Sequence, residues 1–334
     1  MSDGGPEPEG PEPEVAGPEG AGPRALPKSG LGLSALGLGT AWIGERGNPG
    51  GAAGAAATVD QALVQGLSYV DTAPHYGIGM AERRIGPALA GRPRESFAVS
   101  TKVGRVISEQ AGTETFDFSP AAIRASLAGS LDRLGLAAVD VVYVHDPDFA
   151  EEEARAAAFP VLREWRRDGA VTAIGAGMNQ AAMLDRFVTD PDLDLDVVLL
   201  AGRYTLLDQS GLTLLGHCHE RGVGVVLGGV FNSGILADPR PGVTYDYQRA
   251  PGELVARARA MAAVCERHGV PLPAAALQFG WGHPAVVSVL NGPANPAELA
   301  ANLEFATTAI PAACWDQLRS EGLLAPAVPV PGEG

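Results

Sequence analysis

From Leu31 onward, short apolar runs alternate with amphipathic stretches, and Gly, Pro or Asp closes almost every run. That rhythm is how repeated βα units read, because buried parallel strands are continuously apolar while the helices between them show a one-sided face. Eight strands are expected, over residues 35–39, 67–71, 97–101, 139–145, 171–175, 197–201, 223–227 and 286–290. The clearest intervening helix runs from Pro120 to Leu134: Ser119 suits its N-cap, Pro120 its first position, and Gly135 its end, while Ile123, Leu127, Leu131 and Leu134 share one face. Further helices are expected at about 80–89, 153–167, 180–187, 252–267 and 296–305, and Thr58 to Gln61 has the form of a capping box opening a helix that runs to Gly66. Eight alternations without a break in composition favour one (β/α)8 barrel over two domains. A doubly wound sheet would want Gly-x-Gly-x-x-Gly after its first strand, and here Leu36-Gly-Leu-Gly39 runs into Thr40-Ala-Trp42 instead.

Residues 1–29 differ in kind. They are mostly Pro, Glu and Gly, too poor in large apolar side chains to offset the entropy of ordering, and read as a disordered acidic tail. The barrel is expected over 30–325, with 326–334 as a flexible C-terminal tail. A net charge of −15 argues against a nucleic-acid partner, which needs a basic face. No apolar run approaches the roughly 20 residues of a membrane span, and the N-terminus lacks a secretory signal's basic-then-apolar order, so a cytoplasmic protein is expected. Cys218, Cys265 and Cys314 are too few and too scattered for a disulfide framework and read as reduced core thiols. His217 and His219 lie two positions apart, which on a helix turns them in diverging directions, and no metal is expected.

If the barrel is right, four side chains meet at one mouth, since the loops after a barrel's strands carry its chemistry. The second strand ends at Asp71 with Tyr76 in the loop behind it, the third runs into Lys102, and the fourth ends at His145. Each has a plain structural alternative: a loop cap, a packed phenol, a surface cation, a satisfied core imidazole. Four coincident strand-end placements make the joint coincidence much rarer than any single one.

Val70-Asp-Thr-Ala-Pro-His-Tyr-Gly77, Ser100-Thr-Lys-Val-Gly104 and Val144-His145 stand in the order and on the strands of a known family, and from about Leu33 to Leu324 the chain resembles the aldo-keto reductases. Ala201 to Asp208, His145 to Asp148 and Phe231 to Leu236 look like the branch of bacterial aldose 1-dehydrogenases, including the L-fucose and D-threo-aldose enzymes, a branch that also holds pyridoxal dehydrogenase-like members. The resemblance implies hydride transfer at NAD or NADP, with Tyr76 as acid or base, Lys102 lowering its pKa, Asp71 holding Lys102 and His145 orienting the substrate oxygen. The expected substrate is a ring-form aldose oxidised at C1 to a lactone; the alternative is a non-sugar alcohol or aldehyde such as pyridoxal. His75, Asp146 and Asp148 offer partners for sugar hydroxyls and Trp42 a flat wall for a sugar face. Some proteins of this fold serve as cofactor-sensing channel subunits, a reading that an intact set of four does not exclude.

For the cofactor, the resemblance offers Asn179 to the nicotinamide carboxamide, with a helix cap as its alternative role. Gly228, Gly229, Ser233 and Gly234 would let backbone N–H groups approach the pyrophosphate. Two positions depart from the common pattern: Ala201 stands where many relatives carry glutamine, and Gly228 where many stack a tyrosine on the nicotinamide. The loop from Leu290 to Asn302 resembles the adenosine-end segment, with Gly292, Asn295, Glu298 and Asn302 as its polar and close-approach positions. Ala294 fills the place of a phosphate-binding base and Glu298 adds a negative charge, so NAD is expected to be preferred over NADP.

Overall fold

The computed structural model describes residues 22–45, 47–48, 50–246 and 248–333. Eight parallel strands close a barrel in chain order: β1 (Leu36–Gly39), β2 (Tyr69–Asp71), β3 (Ala98–Val103), β4 (Val141–His145), β5 (Ala173–Met178), β6 (Val197–Ala201), β7 (Gly224–Gly228) and β8 (Val286–Asn291), with β8 pairing back onto β1. Each lies within three residues of its expected start and end. The helices of seven or more residues are, among the described residues, α1 (Gly51–Val64), α2 (Met80–Ala90), α3 (Pro120–Leu134), α4 (Phe159–Arg167), α5 (Ala181–Thr189), α6 (Leu212–Arg221), α7 (Gly252–Arg267), α8 (Leu272–Gln278), α9 (Pro296–Thr307) and α10 (Ala312–Ser320). α3 has its expected bounds: Ser119 Oγ accepts from Ala122 N, and Gly135 closes the helix at φ +66°.

The barrel is filled, not open. Leu33, Tyr69, Val141, Tyr143, Val197, Leu199, Val226 and Leu290 form an interior cluster, while a larger apolar layer joins the strands to the outer helices. Glycines permit this packing at β5, where a Cβ on Gly175 would sit 2.0 Å from the Val197 carbonyl oxygen.

Three expectations need correction. Arg24–Ala25 pairs antiparallel with Gly32–Leu33, and Leu26 is fully buried in the barrel's interior cluster, so ordered structure begins before residue 30; residues 1–21 of the expected tail lie outside the described residues. One leucine at the right place is enough to anchor a turn that composition alone marks as tail. At the other end, Val328 and Val330 are buried, Arg319 Nη2 donates to the Val328 carbonyl at 2.7 Å and pairs with Glu333, so 326–333 packs against the body. Thr58 opens no helix: α1 begins at Gly51 on an alanine-rich run, and the Thr58 hydroxyl donates back to the Gly54 carbonyl inside it. Helices α6, α8 and α10 were not anticipated. All three cysteines are buried and free. His217 Nδ1 lies 2.6 Å from Asp185. Among the described residues no helix is long and apolar enough to cross a membrane.

Candidate active site

Register brings the expected four together. Asp71 pairs with Ser100 across β2 and β3, Lys102 with Tyr143 across β3 and β4, and His145 with Gly177 across β4 and β5, so all three side chains leave one end of the barrel. Lys102 Nζ is buried and donates to Asp71 Oδ2 at 2.7 Å, to the Thr72 carbonyl at 2.9 Å and to Tyr76 Oη at 3.1 Å. An ammonium can only donate, so Tyr76 Oη accepts here and its own hydrogen is free to point elsewhere.

The other oxygen of Asp71 is served from inside the barrel. Ser100 Oγ donates to Asp71 Oδ1 at 2.7 Å, Tyr69 Oη lies 2.9 Å from Ser100 Oγ, and Tyr143 Oη lies 3.1 Å from Tyr69 Oη. Because a carboxylate only accepts, the single hydrogen of each hydroxyl is committed in turn: Tyr143 donates to Tyr69, Tyr69 to Ser100, and Ser100 to Asp71. Burial raises the pKa of both tyrosines, which keeps them as neutral donors. Three hydroxyls thus support the one carboxylate that neutralises Lys102.

Burial pulls Lys102 down, yet Asp71 and Tyr76 outweigh it, and the ammonium ends above its ordinary pKa. For Tyr76 the balance differs from the sequence expectation: burial raises it, Lys102 opposes, and the phenol ends above its ordinary pKa. Tyr76 keeps partial solvent access at the mouth, which tempers that rise. His145 is pushed well below its usual range by burial and by the neighbouring Lys102, Arg105 and His75, so it is a neutral imidazole near pH 7. Its ring stands edge-on to Tyr76 at 6.2 Å and to His75 at 5.8 Å, and its buried Nδ1 has no partner among the described residues.

The other expected residues divide. His75 and Asp146 join the site, His75 through Glu114 at 2.6 Å and Asp146 through Arg105 at 2.7 Å. Asp148 instead accepts from the exposed Gln180 at 3.1 Å. Trp42 is 57 % exposed after β1 and lies beside Gly292, where an added Cβ would come within 3.4 Å of its ring. Arg105 and Glu114 were not read from the sequence; they belong to a hairpin, Arg105–Ser108 with Thr113–Phe116, that follows β3 directly. The arginine immediately behind Gly104 was the only available signal.

The loops after β5, β7 and β8 have the character that a dinucleotide requires. Asn179 follows β5 and is not a helix cap, since α5 is capped from Gln180 without a side-chain bond. After β7, Gly229, Asn232, Ser233 and Gly234 all adopt positive φ, a tight loop in which Asn232 N and Gly234 N donate inward to the Gly229 and Phe231 carbonyls at 2.8 and 3.0 Å and the glycines leave the backbone open to close approach. Asn232, another residue missed in sequence, fixes this loop: it accepts from Thr205 Oγ1 at 2.6 Å and donates to the Gly202 carbonyl at 3.1 Å. Gly228 pairs with Ala201 at the adjoining strand ends. After β8, Asn295 Oδ1 accepts from Glu298 N at 3.0 Å while the Glu298 carboxylate accepts from Ala294 N and Asn295 Nδ2, both at 2.9 Å, a reciprocal cap on α9. Asn302 Nδ2 lies 3.4 Å from Asn291 Oδ1. These loops fit a nicotinamide dinucleotide.

Comparison with known proteins agrees. Residues 35–321 match the model of the aldo/keto reductase family. The chain is 42% identical to a D-threo-aldose 1-dehydrogenase of Pseudomonas sp over 290 residues, covering 80% of this chain and 88% of that enzyme. It is 38% identical to a pyridoxal 4-dehydrogenase of Microbacterium luteolum over 321 residues, covering 86% and 93%. An aldo-keto reductase from Bacillus halodurans superposes with a TM-score of 0.73 at 24% identity, covering 92% of this chain and 97% of that one. The chain belongs to the aldo/keto reductase family and is an oxidoreductase working with a nicotinamide cofactor.

Proposed function

We propose that this chain oxidises the C1 hydroxyl of a ring-form aldose to the lactone, with L-fucose and D-threo sugars first among its substrates. The observation that carries the reading is the Lys102–Tyr76 bond beside a neutral His145, at a mouth that also presents His75 and Asp146. Similarity to the D-threo-aldose enzyme supports the sugar, and similarity to the pyridoxal enzyme supports the second reading, a non-sugar alcohol or aldehyde.

Tyr76 takes the hydroxyl proton onto its oxygen, Lys102 stabilises the phenolate that performs this step, Asp71 holds Lys102 charged, and His145 bonds the substrate oxygen and fixes its direction. A bound nicotinamide would supply the acceptor for the hydride that C1 gives up as its C–O bond becomes a carbonyl. Asn179 would hold the carboxamide, the loop of Gly228, Gly229, Ser233 and Gly234 the pyrophosphate, and Gly292, Asn295 and Asn302 the adenosine end. Trp42 and Asp148 border the sugar more remotely.

The same reading favours NAD over NADP. Residues 290–302 contain no Lys or Arg, and Glu298, anchored by its reciprocal cap, keeps a carboxylate at the start of α9. Lacking a charge-assisted contact and meeting that carboxylate each disfavour a 2′-phosphate by about 1 to 3 kcal/mol. One assay tests substrate and cofactor together: kcat/KM for L-fucose, D-arabinose and pyridoxal with each dinucleotide. Turnover of the sugars, and a higher value with NAD, are expected. Reduction of NAD by pyridoxal alone refutes the sugar, and an equal or higher value with NADP refutes the preference.

A further inference from the structure

Around the mouth runs a chain of charged groups from three loops, which the four reacting residues do not need. His75 Nδ1, behind β2, meets Glu114 Oε2 at 2.6 Å; the other oxygen of Glu114 pairs with Arg105 Nη2; Arg105 Nη1 reaches Asp146 Oδ2 at 2.7 Å. That same Asp146 oxygen lies 3.5 Å from His145 Nε2. With one Nη on each carboxylate and the guanidinium over the Phe116 ring at 5.2 Å, its plane is fixed, while the buried Arg105 Nε has no partner among the described residues. Asp146 itself sits at φ +44°, a left-handed conformation uncommon for a side-chain-bearing residue, which turns its carboxylate out of the strand direction.

A carboxylate so near the reacting centre is a liability for proton transfer. It opposes the phenolate of Tyr76, and burial raises its own pKa against the pull of Arg105. Its benefit must therefore lie with the substrate. In a sugar the hydroxyl on C2 stands one hydrogen-bond length from the oxygen on C1, and His145 is the group beside which that C1 oxygen binds under the reading above.

We propose that Asp146, fixed by Arg105, accepts a hydrogen bond from the hydroxyl on the carbon next to the reacting one, so that this chain selects α-hydroxy carbonyl compounds and their cyclic forms. Arg105 is the positioning residue: it bridges Glu114 of the hairpin and Asp146 of the β4 loop and sets where the accepting oxygen stands. An analogue without the hydroxyl leaves Asp146 unpaired once water is displaced, and sites built to bond a hydroxyl reject such analogues strongly.

The proposal rests on the placement of the C1 oxygen but not on the sugar itself, and two substrate pairs separate them: L-fucose against its 2-deoxy form in oxidation, and glycolaldehyde against acetaldehyde in reduction. For each pair the ratio of kcat/KM is measured in wild type, Asp146→Ala and Arg105→Lys. Wild type is expected to favour the hydroxylated member by about tenfold or more, with the ratio collapsing in Asp146→Ala and falling part of the way in Arg105→Lys, which keeps the charge but lacks the rigid planar fork that fixes the two carboxylates relative to each other. A merely structural role would lower both members alike, so an unchanged ratio in either variant overturns the proposal, as does a wild type indifferent to the 2-hydroxyl. Should L-fucose be inert while glycolaldehyde still shows the Asp146-dependent ratio, the sugar reading falls and this one stands.

Discussion

Lys102 uses all three N–H groups on Asp71, Thr72 and Tyr76, and this bookkeeping separates the effects of losing either partner in the Lys102–Tyr76 bond. Tyr76→Phe removes the proton acceptor and one partner of Lys102, which water at the half-buried mouth can replace, so kcat for oxidation is expected to fall by about 10² to 10⁴ with cofactor affinity and unfolding midpoint close to wild type. Lys102→Met removes the counter-charge of a buried carboxylate as well; its activity should fall comparably and its stability by about 3 to 5 kcal/mol, because Asp71 is left uncompensated. Denaturant titration distinguishes the two variants, and equal stability loss in both would contradict the arrangement. Since burial lifts the Tyr76 phenol above its ordinary pKa, oxidation should also accelerate as pH rises above neutrality, where the phenolate fraction grows. Asp71, Tyr76, Lys102 and His145 were legible in the sequence because each ends or follows an apolar strand. Ser100, Tyr69 and Tyr143 were not: inside a buried run nothing in a hydroxyl's spacing tells whether it faces the barrel axis or the helices.

Elements with strong periodicity were equally legible, α3 to the residue, whereas those held by a few long-range contacts were hidden. The hairpin after β3 has alternating Thr113-Glu-Thr-Phe116 with mostly exposed positions, so it carries no apolar signal, although it delivers both Arg105 and Glu114. Glu82 reads as an ordinary helix-surface acid, yet it is fully buried, accepting from Thr101 Oγ1 and Arg133 Nε, both at 2.7 Å, and so ties α2 and α3 to the strand that bears Lys102. The segment Arg24 to Leu33 is the clearest case: a Pro- and Gly-rich context masks Leu26, which lies in the barrel's interior cluster with Leu33, Tyr69 and Val197, while Arg24 Nη1 donates to the Val286 carbonyl at 2.7 Å. Leu26→Ala should cost about 2 to 5 kcal/mol of unfolding free energy, the usual range for a cavity at a fully buried leucine. The mouth lies at the opposite end of the strands, so kcat should stay within about twofold, a change of under about 0.5 kcal/mol. A stability loss within the scatter of surface substitutions would show that this turn does not plug the barrel.

At the scale of the whole molecule, response to acid is set by histidines that fold in their neutral form. Burial lowers His283 from its ordinary 6.5 to about 4, and its Nδ1 accepts from Ala285 N at 3.2 Å, a bond that requires an unprotonated nitrogen. His145 is depressed in the same direction. An imidazole with a lowered folded pKa stabilises the fold fully above its unfolded value and loses that contribution as pH falls toward the folded one, because the unfolded chain takes up the proton first. For His283 the window runs from 6.5 down to about 4 and is worth up to about 3 kcal/mol. Asp146 acts in the opposite sense, since burial raises it, while Glu114 and Asp194, both lowered by their cationic partners, add to the loss only at the acid end of the window. Unfolding free energy from urea titration should therefore fall steadily below pH 6.5, before the carboxylates contribute. His283→Gln keeps an acceptor for Ala285 without titrating in this range, and should remove most of the His283 share of that fall; an undiminished slope in this variant would assign the acid sensitivity to other groups.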